Sequence, residues 1–582
     1  EVPAHDLCEK FGRYFIVLFV CHVRNERDRR RVHHRNEVVE SGGRELDITS
    51  ANFPALAFKQ AANAGAYNRV WHEARFGPAN RSCCYSAHDA LQDHLDATIR
   101  MACVINNEPE TIVTFTYKSS QLTAVQCALG NTLAAHLMAP VLLWFRRNLR
   151  LRDNGALLAA VESGRPIIPV YVCDSLDSGG ASRWWLHHSL ESLDRSLRDL
   201  GGRLVIQSGK PEDVLANLIK ESGATGIFYS RRYEPEARRQ QQRLRKQLDE
   251  QIEIQGCDDS LLNHPRAVMT QSETPYKIFT PYWRAAAARG EPAKPRPAPS
   301  SIRFAEHSLE SLTLADLALL PTKPDWAQGL RDTWQPGETG ALQRIDSLET
   351  PVKHYADQRD RPDLDTTSRL SPHLHFGEIS VREAWHAVRE LQLHLEPASG
   401  AEALLRQFFW RDFSTYLLFH FPKLPSEPLR AEFDAFPWSD NERHLSAWQR
   451  GMTGYPIVDA GMRQLWATGW MHNRVRMIVA SFLVKDLLIP WQHGADWFLD
   501  TLVDADLANN SAGWQWVAGC GTDSVPYFRI FNPTLQGKKF DPHGDYVRRW
   551  VPETGRGYPA PIVDHAEARA RALEGYQLIR SI

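Results

Sequence analysis

At 582 residues, with 43% hydrophobic and 24% charged residues, the chain reads as a soluble globular protein too long for a single core. It contains no run of about 18 uncharged apolar residues, which argues against a membrane span. A formal net charge of −2 conceals local basic clusters, so charge alone neither supports nor excludes a nucleic-acid partner.

Residues 1–137 stand apart. They lack an initial Met and hold Trp71 alone of the 18 Trp, together with the pair Cys83–Cys84 and a basic run, RNERDRRRVHHR, at 24–35. The segment RYFIVLFVCHV (13–23) is short and has no small-residue cleavage site, a poor signal peptide. Neither helical nor strand periodicity persists here. We expect 1–137 to be an extension upstream of a natural start at Met138; a fused accessory domain or a basic DNA-binding arm is the alternative. Of nine Cys, only Cys173, Cys257 and Cys520 follow Met138. Those are too few for a four-thiolate metal or iron–sulfur site, so no metal is expected, and a reducing cytoplasm is the plain inference.

From Met138 the pattern alternates. Strand-like VLLWF (141–145) leads into a helical DNGALLAAVESG, then strand IIPVYVCD (167–174) and a helix from Arg183 to Leu200 that stops at Gly201–Gly202. Strand RLVIQSG (203–209), a helix opened by Pro211, strand GIFYSR (226–231), a charged helix and strand IEIQGC (252–257) follow. This predicts a doubly wound parallel sheet over 138–270. No GxGxxG follows the first strand, so ordinary dinucleotide binding there is unsupported. A linker is expected over 271–329, around the Pro-rich GEPAKPRPAPS, then a helical domain over 330–560 and a tail at 561–582.

The chemistry concentrates in the helical part. TTSRLSPHLHFGEIS (366–380) places hydroxyls and Arg369 before a helix-like segment, a setting for phosphate and equally for a plain helix cap. In LLRQFFWRDFSTYLL (404–418), Gln407 and Trp410 share a helical face; an amide beside an indole suits a flat base, and a core aromatic stripe is the competing reading. Asn473, Arg474, Arg476 and Met477 sit at a helix junction, where Arg474 suits a phosphate oxygen and Arg476 an acid such as Asp504. Asp504, Asp506 and Asn510 read as an irregular polar loop facing a cofactor's polar edge, with metal binding as the rival. Indoles are costly to bury without a partner for the N–H, yet Trp410, Trp438, Trp491, Trp514 and Trp516 recur near these motifs, as stacking platforms or single-electron relays.

Together WFRRNLRLRDN, TSRLSPHLHFGEIS, WRDF, TGYPIVDAGMRQL, NRVRMIVASFLVKDLLIPWQ and GWQWVAGCGTDSVPYFRIFNPTLQGKKFD resemble the DNA photolyase/cryptochrome family over about 139–555. The likeness is closest to microbial enzymes that split cyclobutane pyrimidine dimers, carbon–carbon lyases driven by light. The resemblance implies an α/β antenna domain and an all-α domain holding FAD, with damaged DNA as partner and a cytoplasmic monomer as the working form. It assigns FAD contacts to Tyr355, Thr367, Ser368, Arg369, Leu370, Ser371, Arg476, Asp504 and Asp506, and the flavin N5 position to Asn510. Trp410, Asn473, Met477 and Trp516 correspond to the pocket for the flipped dimer, and Arg359, Arg411, Arg474, Arg529 and Gln536 to DNA contacts. Trp514, Trp491 and Trp438 match a three-Trp electron chain, in that order from flavin to surface.

Two positions depart from the dimer-splitting pattern. Gln407 stands where Glu is usual, as in (6–4) photolyases and animal cryptochromes, and Leu404 replaces a Trp. Asn473 and Met477 stand where those (6–4) enzymes carry His, so dimer repair is the expectation, with (6–4) repair, a cryptochrome-like photoreceptor and a light-independent flavin or DNA-binding module as alternatives. The antenna chromophore stays open between methenyltetrahydrofolate, 8-hydroxy-deazaflavin and none, because SRRYEPEARR (230–239) does not clearly keep a folate-binding Asn–Glu pair.

Overall fold

The computed structural model describes residues 17–22, 98–104, 112–117, 139–174, 179–524, 528–555 and 557–580. The basic run at 24–35, the Cys83–Cys84 pair and Met138 lie outside them, as do 525–527 of the last motif. The chain divides into two compact units, Glu1–Leu137 and Met138–Ile582.

In the first unit β1 (Val17–His22), β2 (Thr98–Val104) and β3 (Ile112–Tyr117) form an antiparallel sheet in the order β1-β2-β3. Strands were not foreseen there. The three segments are β-branched- and aromatic-rich, but each is too short to stand out from its surroundings by periodicity.

The second unit opens on a five-stranded parallel sheet, order β6-β5-β4-β7-β8, from β4 (Val141–Phe145), β5 (Ile167–Cys173), β6 (Val205–Ser208), β7 (Gly226–Ser230) and β8 (Glu253–Cys257). The order reverses at β4, the doubly wound arrangement predicted. β4 and β7 are wholly buried, as central parallel strands covered on both faces must be. The helices α1 (Gly155–Glu162), α2 (Gly180–Asp199), α3 (Pro211–Ser222) and α4 (Pro235–Gln247) make the crossovers.

Beyond β8 the unit is helical. The linker expected over 271–329 is not a bare connection: α5 (Phe279–Ala287) buries Phe279 and Tyr282 against α8 (Ser399–His420). The tail at 561–582 also differs from expectation. Its residues form α14 (His565–Arg580), with Ala568, Ala572 and Ile579 buried, and small side chains explain the close approach: a Cβ on Gly575 would stand 2.9 Å from Pro437 Cγ.

Buried polar contacts tie sheet to helices. Glu378 accepts from Trp185 Nε1 at 2.9 Å and from the Gly337 N–H at 2.7 Å, while Arg150 Nη1 donates to the Gly377 carbonyl at 2.9 Å. Unpaired, such groups would each cost about 1–3 kcal/mol, so they fix one docking of the two halves. No helix among the described residues is long and apolar enough to cross a membrane.

Candidate functional site

The helical part encloses a cavity of about 870 Å³, near the upper end of the range for cofactor sites. Its rim comes from α6 (Glu349–Gln358), the loop into α7 (Ser371–Phe376), α8, α10 (Asn473–Ser481), α11 (Trp491–Thr501) and α12 (Leu507–Ala518).

On one wall, Thr367, Ser368, Arg369, Leu370 and Ser371 line the cavity with Tyr355. Arg369 is left-handed (φ +50) and Leu370 right-handed (φ −80, ψ −10), a pairing that turns successive backbone N–H groups toward one point and makes an anion cradle. α7 spans six residues, so this backbone nest, more than a long helix dipole, is the phosphate-compatible feature. Burial pushes the Tyr355 phenol up to about 12, so it stays a neutral hydroxyl. His472, the N-cap of α10, is pushed down to about 4 by burial, with Asp360 opposing and the nearby arginines reinforcing; the cationic character of this wall therefore belongs to arginine.

The acid pair also lines the cavity. Arg476 Nη2 donates to both oxygens of Asp504 at 3.0 and 2.9 Å, while its Nε holds the Met471 carbonyl at 2.8 Å. Asp506 and Asn510 do not sit in an irregular loop. Asp506 caps α12, accepting from the Asn509 backbone N–H at 2.8 Å, and Asn510 lies within that helix, its Nδ2 donating to the Ala495 carbonyl at 2.9 Å. Burial opposes ionisation of Asp506, but His375, the Asn509 N–H and Arg147 hold its carboxyl below the usual range. That leaves the Asn510 side-chain oxygen and the second Nδ2–H to meet a ring edge.

The indoles separate by position. Trp410, Trp514 and Trp516 line the cavity; Trp491 and Trp438 do not. Trp491 and Trp514 are 2% and 3% exposed within one core, and half-buried Trp438 packs against that core's edge. Gly494 permits this packing, because a Cβ there would meet Trp514 at 2.1 Å. Trp410 and Gln407 lie together on α8, as predicted, and Gln407 Nε2 donates to the Ala403 carbonyl at 3.2 Å.

Arg359, Asn473, Arg474, Met477 and Arg529 also line the cavity. Arg474 pairs with Asp360 at 2.7 Å. Arg411 reaches the wall, but its Nη1 donates to the Ser260 carbonyl at 2.7 Å and its Nη2 to that of Leu374 at 3.4 Å. A guanidinium so engaged braces the Ser260 loop against α7. Gln536, on α13 (Pro533–Phe540), lies outside the cavity. Sequence reading missed Phe279, whose ring lies flat on Trp410 with centroids 3.5 Å apart, and Asp523 beside Trp516. Phe279 fell in the supposed linker, and Asp523 sat unremarked within a quoted motif.

An anion nest, a part-buried acid–arginine pair and the apolar lining residues Leu404, Phe408 and Phe498 fit a flat ring system carrying phosphates. A doubly wound sheet joined to a helical domain with such a cavity defines a nucleotide-cofactor protein. The family model for DNA photolyase matches residues 141–300, and that for the FAD binding domain of DNA photolyase matches 404–556. A deoxyribodipyrimidine photo-lyase of Agrobacterium fabrum is 48% identical over 472 residues, covering 76% of this chain and 98% of that protein. Cryptochrome-1 of Arabidopsis thaliana is 37% identical over 478 residues, covering 74% and 69% respectively. The crystal structure of a bacterial class III photolyase from Agrobacterium tumefaciens superimposes with a TM-score of 0.74 at 48% identity, over 76% of this chain and 98% of that one. The chain belongs to the DNA photolyase/cryptochrome family, and its cofactor is FAD.

Proposed function

We propose that the protein is a light-dependent DNA-repair enzyme, a deoxyribodipyrimidine photo-lyase that opens cyclobutane pyrimidine dimers flipped out of DNA. The observation that carries this reading is the continuity of one cavity: the nest at Thr367–Ser371, the Arg476–Asp504 pair and Asn510 share it with Trp410, Trp516, Asn473 and Met477. Cofactor and lesion would therefore meet with no protein layer between them.

Bound FAD, when reduced and illuminated, supplies one electron to the dimer and takes it back after ring opening. The chain's own groups do the rest. Trp410 and Trp516 offer apolar faces that hold the two linked bases of one strand against the pull of the duplex; a damaged step stacks poorly and is cheaper to extrude. Arg359, Arg474 and Arg529 stand at the rim where DNA phosphates would lie, so affinity should fall steeply with added salt. Gln407 Nε2 donates one N–H to the Ala403 carbonyl and has a second to offer the lesion. On this reading the enzyme works as a monomer in the cytoplasm.

The test is repair of a single thymine dimer and of a (6–4) lesion by prereduced protein, in light and in darkness. Light-dependent loss of the dimer alone is expected; repair of neither lesion would sink the enzyme reading. A cryptochrome-like photoreceptor is the second reading, favoured by Gln407 and by the 37% identity to cryptochrome-1, and it requires that failure.

Gln407→Glu makes a narrower prediction. An amide donates only a hydrogen bond, whereas a carboxyl group can also transfer a proton to the transient dimer anion. The variant should repair dimers at least as well as the parent in a single-turnover assay; a large loss would assign Gln407 another role.

A further inference from the structure

We propose that Asp523 is a positioning residue for lesion binding, the joint that holds the two indole walls, Trp410 and Trp516, at a fixed separation. The inference rests on the reading of the cavity as a lesion pocket.

Two contacts meet at Asp523. Its side-chain Oδ2 accepts the Phe279 backbone N–H at 2.8 Å, and its main-chain carbonyl accepts Trp516 Nε1–H at 3.2 Å. Phe279 in turn lies on Trp410 at 3.5 Å with 8° between the planes. A continuous path, Trp410 to Phe279 to Asp523 to Trp516, therefore links the two walls through segments far apart in sequence.

The capping of α5 gives independent support. The N–H groups at a helix start need partners outside the helix. Ile278, the N-cap of α5, has no side-chain oxygen and makes no side-chain cap bond. The acceptor for Phe279 comes instead from Asp523, across the cavity mouth. Asp523 is held at φ +54, a left-handed conformation that Asp adopts more readily than most residues. Phe279 is 1% exposed, and Arg406 lies over both it and Trp283, with Cζ 5.4 and 4.5 Å from the ring centroids.

Fixed separation matters because stacking is short-ranged. A gap of about 0.5–1 Å forfeits a quarter to a half of a contact's attraction. Phe279 covers one face of Trp410, and Arg529 Cζ lies 5.4 Å from the Trp516 centroid. Each wall is thus already flanked by another group, and a lesion between them depends on the spacing that Asp523 sets.

The experiment measures binding of FAD-loaded protein to an oligonucleotide carrying one thymine dimer and to its undamaged counterpart. Asp523→Ala should weaken dimer binding about tenfold, or about 1.4 kcal/mol, with undamaged-DNA binding, FAD content and photoreduction unchanged. Asp523→Asn keeps both acceptor oxygens and should stay within about twofold of the parent. Phe279→Leu, which leaves Asp523 intact, should reproduce the Ala effect. Unchanged dimer affinity in Asp523→Ala overturns the proposal. So does an Asn variant as weak as Ala, which would point to charge, or equal losses on both DNAs together with lost FAD, which would point to a general prop. If the parent protein itself fails to prefer the dimer, the lesion reading fails first and this inference with it.

Discussion

Trp491→Phe is expected to lose most of the photoreduction that converts oxidised FAD to its active form, while prereduced protein repairs dimers at the parental rate. The expectation comes from where the indoles sit. Trp514 lines the cavity, Trp491 is buried in the same core without reaching the cavity, and Trp438 is half-buried at that core's edge. An electron arriving from solvent would cross these in reverse order, and a phenyl ring is harder to oxidise than an indole. Replacing the middle member therefore interrupts delivery without touching the lesion walls. Absorbance during illumination with an external reductant reads the first effect, and dimer repair after chemical reduction in the dark reads the second. Unaltered photoreduction would refute the relay; loss of repair in prereduced protein would mean that the substitution disturbed the core.

Breaking the Arg476–Asp504 pair should have the largest effect on the loaded protein. The two side chains are 23% and 5% exposed, so the pair is part-buried, and leaving the nearly covered carboxylate without its partner costs about 1–3 kcal/mol. Arg476→Met should accordingly lower the thermal midpoint and release FAD on desalting. Adding Asp504→Leu removes the stranded carboxylate, so the double variant should recover much of the lost stability. It should not recover FAD, since the polar edge of the cavity is gone. Thermal unfolding and the flavin absorbance per protein chain separate the two effects. An Arg476→Met protein that keeps its flavin would show that this pair serves packing alone.

The parallel sheet was legible in the sequence because its three inner strands, β4, β5 and β7, are short apolar runs bounded by turn residues, and burial on both faces leaves no other role for such runs. The Arg476–Asp504 pairing was foreseen, as was the shared face of Gln407 and Trp410, which follows from helical spacing. Three features were not. Residues 279–287 follow no conspicuous signal, because the helix lacks a side-chain cap of its own and takes its acceptor from Asp523. Asn510 was placed in a loop because the Asn, Ser and Gly around it favour turns, whereas Asp506 caps a helix there. Arg411 looked like a DNA ligand by position, and only the structure shows its nitrogens directed to the Ser260 and Leu374 carbonyls. Patterns within one element were readable; partnerships between distant elements were not.

α12 carries one consequence further. Asp506 at its cap, Asn510 and Trp514 fall four residues apart, while Asn509, Ala512, Gly513 and Trp516 form a second stripe along the cavity. One rigid rod thus presents two adjacent faces to the cavity. Inserting a single residue near its start would rotate everything beyond by about 100°, taking the Asn510 amide and the Trp514 and Trp516 indoles out of register with the cavity together. Substitutions along α12 can alter these positions one at a time, whereas a change in its length shifts all of them at once.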